Sequence, residues 1–309
     1  MRRILITGGT GFVGPYLIRL LKTNSSSIVV LSSGAPLRPE PGIRYYKVDL
    51  RDRESVRSVV RENSPDEIYH LAGITAVNTS RENPQQTFEV NVVGAYHLFD
   101  AAMSLVSPPR ILNISTSQVY APSTSWLTEE SPVGPDNPYA MSKAMAEFLA
   151  KQYSSSTKGI ITARAFNHTG PGQSTNFVLS SIAKQFAEMQ DGSKAPTITI
   201  GNTEVRRDFT DVRDVVRAYQ LLMSRGRVGE IYNVCSGAAP RLAEIIDLFQ
   251  MVTGMKPMLQ IDATRVRPNE VLQICGEPRK IFEATGWRPR ITMAKTTRDL
   301  LTYWRAAWR

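Results

Sequence analysis

The run Ile4-Leu5-Ile6-Thr7 leads directly into Gly8-Gly9-Thr10-Gly11-Phe12-Val13-Gly14, and this junction limits what the chain can become. A short apolar run rich in branched residues reads as a buried strand, and the periodicity from Val13 to Leu21 reads as a helix. Between them the backbone must turn tightly, let a ligand come close, and then pack helix against strand. Glycines at 8, 11 and 14 suit those three demands. Free N–H groups at the helix start carry partial positive charge and receive phosphate. A glycine triplet alone is a weak signal. Between a strand and a helix it becomes a phosphate-binding βαβ turn.

The same alternation continues. Ile28 to Leu31, Tyr45 to Val48, Glu67 to His70, Arg110 to Ile114 and Ile160 to Ala163 read as further strands. Ser55 to Arg61, Thr87 to Met103 and Tyr139 to Tyr153 read as helices, with Pro84 and Asn137-Pro138 as start signals. Strand–helix alternation implies right-handed crossovers and a doubly wound parallel α/β sheet of Rossmann type. After about residue 170 the pattern loosens: Gly, Pro, Ser and Thr cluster at 169–176 and strict alternation stops. The expected division is a dinucleotide-binding unit over 1–168 and a smaller α/β substrate-binding region over 169–309. Some segments of the latter are free to return to the first sheet.

Composition narrows the partners. The 309 residues are 42% hydrophobic and 21% charged, with a net charge of +9. An excess of cations favours anionic ligands, but the basic residues are scattered and form no long run. A polyanionic cofactor and a diphosphate substrate fit better than nucleic acid. No apolar stretch has the ~20 residues a bilayer crossing requires. The first residues read as a strand, not a signal peptide. A cytoplasmic protein with no membrane or nucleic-acid partner is expected. Cys235 and Cys275 fit no metal spacing, so no metal is expected and both read as buried free thiols.

An NAD site of this kind expects an acid at the end of the second strand, to hold the ribose 2′-hydroxyl. Here the chain reads Leu31-Ser32-Ser33-Gly34-Ala35, with no acid before Glu40. Ser32, Ser33 and Arg38 could instead receive a 2′-phosphate. NADP(H) is therefore expected, with NAD(H) as the alternative.

Tyr139 and Lys143 stand four apart on the Tyr139 to Tyr153 helix, so both side chains share a face. A free phenol titrates near ~10, and a neighbouring ammonium brings it toward the working range. Thr116 follows the strand Arg110 to Ile114, where a hydroxyl at the C-terminal edge of an open sheet faces the ligand crevice. Glycine turn, strand-end hydroxyl and the Tyr–Lys pair in this order suit hydride transfer better than three unrelated surface features.

Taken together, Gly8 to Gly14, Asp49-Leu50, His70-Leu71-Ala72-Gly73, Asn91 to Gly94, Thr116 to Tyr120 and Tyr139 to Lys143 make the chain similar to the extended short-chain dehydrogenase/reductase family. The resemblance covers essentially the whole length. It implies catalytic roles for Thr116, Tyr139 and Lys143. It also implies a cofactor site of Gly8, Thr10, Gly11, Phe12, Val13, Gly14, Ser32, Ser33, Arg38, Asp49, Leu50, Leu71, Ala72, Gly73, Asn91, Tyr139, Lys143, Phe166 and His168. Asp49 would meet the adenine. Arg164 to Gln173, Arg207 to Val212, Tyr232 to Gly237 and Arg267 to Val271 resemble the branch acting on GDP-mannose derivatives. That likeness implies substrate contacts from Thr75, Gln118, Asn167, Asn176, Val178, Lys184, Arg207, Arg267 and Glu270.

Dehydratases of the branch carry a glutamate two positions after the strand-end Ser/Thr. Here that position is Gln118, and an amide cannot exchange a proton at neutral pH. The implied activity is therefore NADP(H)-dependent reduction of the 4-keto group of a GDP-linked deoxyhexose, giving GDP-D-rhamnose. A dehydratase or epimerase is the second reading, and a non-catalytic NADP(H)-binding protein the third. Ala121 departs from the family's glycine after Val-Tyr. The resemblance further implies a homodimer through a four-helix contact built from Thr87 to Met103 and Tyr139 to Tyr153.

Overall fold

The computed structural model describes residues 1–36, 39–154, 159–266 and 271–307. Thirteen strands are described: β1 (Arg2–Thr7), β2 (Ser26–Ser32), β3 (Arg44–Lys47), β4 (Glu67–His70), β5 (Arg110–Thr116), β6 (Ile160–Ala165), β7 (Asn167–Thr169), β8 (Thr197–Ile200), β9 (Arg206–Arg207), β10 (Phe209–Asp211), β11 (Ile231–Val234), β12 (Met258–Ile261) and β13 (Gln273–Ile274). Seven of them form one sheet in the order β11-β6-β5-β4-β1-β2-β3. Every pairing in it is parallel. The doubly wound architecture expected from the alternation is present.

The helices are α1 (Gly14–Leu21), α2 (Arg53–Asn63), α3 (Val77–Glu82), α4 (Pro84–Phe88), α5 (Gly94–Met103), α6 (Pro138–Gln152), α7 (Val178–Gln190), α8 (Val212–Arg225), α9 (Leu242–Thr253), α10 (Arg279–Thr285) and α11 (Met293–Ala307). Local chemistry sets their starts. Asp52 accepts from Ser55 N to cap α2, and Asn137 accepts from Ala140 N to cap α6, with Pro138 in its first turn. One apolar cluster joins α1 and α8 to one face of the sheet through Leu17, Ile18, Leu112 and Tyr219. A second joins α2, α5 and α6 to the other face through Val56, Phe99, Ile111 and Ala146. A third, around Phe186, Phe249 and Leu301, binds α7, α9 and α11 together.

Two differences from the sequence reading bear on the site. Strand β5 runs two residues further than periodicity suggested, so Thr116 is its last residue. The single helix expected over Thr87 to Met103 is divided: a π-turn, Glu89–Val93, separates α4 from α5. The wider turn carries Asn91, whose carboxamide accepts from Ile74 N at 2.8 Å and donates to Ile74 O at 3.0 Å. Pairing with the loop after β4 holds the extra residue in place. No helix among the described residues is long and apolar enough to cross a membrane.

Candidate active site

The chain proceeds from β1 outward to β2 and β3, then resumes on the other side of β1 with β4, β5 and β6. The strand order thus reverses between β1 and β4, and the crevice beyond their C-terminal ends is the expected ligand position. Gly8 follows β1 there with a φ of +67°. A Cβ on Gly8 would stand 2.7 Å from both Cα and N of Ala72, in the loop after β4. A Cβ on Gly14 would collide with the Gly9 backbone. Gly11 is exposed, and a Cβ there would meet only the carbonyl of Gly8, at 3.3 Å. Glycine is thus required for packing at the first and third positions, while the middle one leaves the outer surface of the turn open.

Helix α1 begins without a side-chain cap or an acidic first turn, so its leading N–H groups and positive end remain available to an anion. Val13 and Phe12 are half-buried in that turn, and Phe12 stacks on the His168 ring at 6.2 Å. Thr10 Oγ1 and Ser32 Oγ hydrogen-bond at 2.5 Å, tying the glycine turn to the end of β2. Ser33 is exposed beside it. Arg38 lies outside the described residues. Glu40, the first acid after β2, is paired with Arg19 at 2.7 Å. Asp49 is held by Arg51 at 2.7 Å, which keeps its carboxyl below the usual range. Leu50 is packed under Gly94, where an added Cβ would meet its Cβ at 2.8 Å. These features fit a dinucleotide.

The loop after β4 closes the crevice floor. Thr7 Oγ1 accepts from Ala72 N and lies 2.7 Å from His70 Nδ1. Leu71, Ala72 and Gly73 are half-buried. A Cβ at Gly73 would come 2.9 Å from Asn91 Oδ1 and 3.4 Å from Lys143 Nζ, so glycine keeps this approach open.

Above the floor, α6 brings Tyr139 and Lys143 to the end of β5. Both are buried. Burial raises the pKa of the Tyr139 phenol, and the neighbouring Thr116 side chain opposes the rise. A phenol so placed keeps its proton at neutral pH and can give it to a developing alkoxide. Lys143 Nζ donates to the Ile114 carbonyl at 2.8 Å. Burial pulls its pKa down to about 8, and the carboxylate of Glu147 resists. Asn137 Nδ2 donates to Gln118 Oε1 at 3.3 Å, which orients this amide beside the cluster.

Other expected site residues divide by location. Phe166 is buried, Asn167 and His168 half-buried, and His168 Nδ1 bonds the Phe166 carbonyl. Burial lowers the His168 pKa, leaving a neutral ring. Thr75, Asn176 and Val178 are exposed. Lys184 is paired with Glu188 at 3.4 Å. Arg207 donates to the carbonyls of Arg206 and Leu272. Arg267 and Glu270 lie outside the described residues. Ser142 and Arg164 fall inside motifs quoted above but received no role of their own from the sequence, and Glu147 fell outside them; their polar contacts are buried, and only the i, i+4 spacing of Glu147 from Lys143 hints at one of them.

A family model described as GDP-mannose 4,6 dehydratase matches residues 5–300. The chain belongs to the GDP-mannose 4,6 dehydratase family. It is accordingly an enzyme of the nucleotide-sugar reductase and dehydratase class, and the extended short-chain dehydrogenase/reductase likeness holds. Within this family group it is 35% identical to the GDP-6-deoxy-D-mannose reductase of Pseudomonas aeruginosa, over 98% of this chain and 97% of that one. It is 30% identical to the GDP-6-deoxy-D-talose 4-dehydrogenase of Aggregatibacter actinomycetemcomitans, over 95% of this chain and 94% of that one. The solved structure of RMD from Pseudomonas aeruginosa complexed with NADPH superimposes with a TM-score of 0.87 at 34% identity, covering 99% of this chain and 100% of that one.

Proposed function

We propose that this family member reduces the 4-keto group of a GDP-4-keto-6-deoxyhexose with NADP(H), giving GDP-D-rhamnose. The observation that carries this reading is an amide where elimination needs a carboxylate: Gln118, fixed by Asn137, beside an otherwise complete Tyr139–Lys143–Thr116 cluster. Reduction needs only hydride and one proton. Bound NADPH supplies the hydride. The Thr116 hydroxyl holds the C4 oxygen, the Tyr139 phenol protonates it, and the Lys143 ammonium stabilises the phenolate that remains. A serine pair at the end of β2 and a neutralised Glu40 support NADP(H), because no unpaired carboxylate opposes a 2′-phosphate there. The region after β6 would mainly bind the GDP-sugar, and the likeness to a GDP-6-deoxy-D-mannose reductase supports that substrate.

The test is incubation with GDP-4-keto-6-deoxymannose and NADPH, following nicotinamide absorbance and identifying the sugar. Stoichiometric NADPH oxidation with GDP-D-rhamnose as product is expected. No oxidation would overturn the reading. GDP-6-deoxy-D-talose as product would keep the reduction but reverse the face of hydride addition.

A homodimer is part of the same reading. Met141, Met145 and Phe148 recur along one side of α6 and are 42%, 47% and 68% exposed, with Val93 and Tyr96 exposed at α5 and the π-turn before it. Such an apolar stripe suits burial against a second copy. Sedimentation of wild type against Phe148→Asp tests it, with dissociation expected in the variant.

A further inference from the structure

Tyr139, Lys143 and Glu147 recur at four-residue intervals along the buried side of α6. Each meets one of three consecutive residues at the end of β5. Tyr139 stands beside Thr116, and Lys143 Nζ donates to the Ile114 carbonyl. Ser115 Oγ donates to Glu147 Oε1 at 2.5 Å. The first two contacts belong to the cluster described above. The third has no part in the chemistry so far assigned.

Glu147 is 8% exposed and Arg164, on β6, is 3% exposed. Arg164 Nη2 lies 2.8 Å from Glu147 Oε2, and its Nε donates to Oε1 at 3.0 Å. The guanidinium also lies 4.6 Å from the centre of the Tyr120 ring. A buried ion pair adds little stability over well-packed apolar residues, because desolvation offsets attraction. Its presence one helical turn beyond Lys143 needs another explanation.

Lys143 is buried with a neutral carbonyl as its hydrogen-bond acceptor. From β4 it faces His70, which is neutral because burial pulls its pKa down to about 3. Along α6, Tyr139 and the Glu147 carboxylate stand one turn to either side of it, and the uncharged Asn91 of the π-turn approaches the same side of Gly73. The geometry points to Glu147 as a positioning residue that keeps the Lys143 ammonium charged, with Arg164 setting how much of that carboxylate's field reaches it. Charges one turn apart interact strongly in a medium of low dielectric constant. The Arg164 fork on the far side of the carboxylate subtracts from that field. The inference rests on the catalytic reading of Lys143, but its test does not need the sugar substrate.

That test is NMR titration of 13Cε-labelled lysine in the ligand-free protein, with Lys143 assigned through Lys143→Arg. In E147Q the Lys143 midpoint should fall by about one pH unit or more. E147Q strands a buried guanidinium and risks unfolding, so E147Q/R164Q provides a neutral hydrogen-bonding pair in its place. There the midpoint should fall by less, and R164K should leave it unchanged. The alkaline limb of the turnover profile should move with the midpoint. An unchanged or raised midpoint in the double variant would overturn the inference, as would an equal fall in R164K, which would assign the effect to packing. Absence of sugar turnover would count against the proposed reaction and leave the titration to decide this point.

Discussion

Asn91 Nδ2 donates to Ser142 Oγ at 2.9 Å, and Ser142 Oγ donates to the Tyr139 carbonyl at 2.8 Å. With its two bonds to Ile74, the Asn91 carboxamide fastens the loop after β4 to the first turn of α6. Asn91→Ala would strand buried partners at about 1–3 kcal/mol each. It would also free α6 to shift, and displacements of about 1 Å cost up to ~100-fold in rate. A lowered melting temperature together with lowered kcat is expected. An unchanged melting temperature would show that the clamp contributes nothing.

His70 gives the fold an acid-sensitive point. It is buried against Phe99, ring centres 5.8 Å apart, and its pKa falls to about 3. An unfolded histidine titrates near ~6.5. Above that value neither state binds the proton. Below it the unfolded chain takes one up and the folded chain does not, so stability falls with decreasing pH until about 3. The slope approaches ~1.4 kcal/mol per pH unit. Urea midpoints at about pH 7 and about pH 4.5 should therefore diverge less in His70→Gln than in the wild type. Equal divergence would remove His70 as the cause.

Much of this was legible in the sequence because it rests on local constraints. The glycine turn is legible since Gly8 and Gly14 answer steric demands that other residues fail. The Tyr139–Lys143 pair is legible because helix periodicity alone puts both on one side. The π-turn at Asn91 was not, because it depends on a partner, Ile74, met only after β4 has entered the sheet. Glu147 and Arg164 were hidden for the same reason: a carboxylate on a helix reads as solvated until the strand facing it is known. Arg38, Arg267 and Glu270 lie outside the described residues.

Two glycines separate backbone strain from crowding. Gly8 and Gly42 have φ values of +67° and +78°. A Cβ on Gly42 would meet nothing within 4 Å, whereas one on Gly8 would press on the Ala72 backbone at 2.7 Å. Gly42→Ala should cost about 1 kcal/mol from conformation alone. Gly8→Ala should cost a further ~1–3 kcal/mol from overpacking and should weaken NADPH binding, since β1 and β4 must part at the crevice. Denaturant midpoints and cofactor titration measure both. Equal losses in the two variants would mean that the close approach at Ala72 relaxes freely.

Tyr139→Phe isolates the proton. The α6 start is held by Asn137, which accepts from Ala140 N at 3.0 Å, and by Ser80, which accepts from Tyr139 N at 3.2 Å; neither bond involves the phenol. The variant should therefore fold and bind NADPH much as the wild type does. Turnover should drop by ~10²–10⁴-fold, the range for loss of a positioned general acid. Because burial raises the phenol's pKa, the wild-type enzyme should hold its donor protonated at neutral pH and lose reduction only on the alkaline side, where Lys143 titrates at about 8. Pre-steady-state NADPH oxidation in both proteins gives the decisive comparison. A wild-type rate in the variant would transfer the proton to another donor and dismantle the assignment.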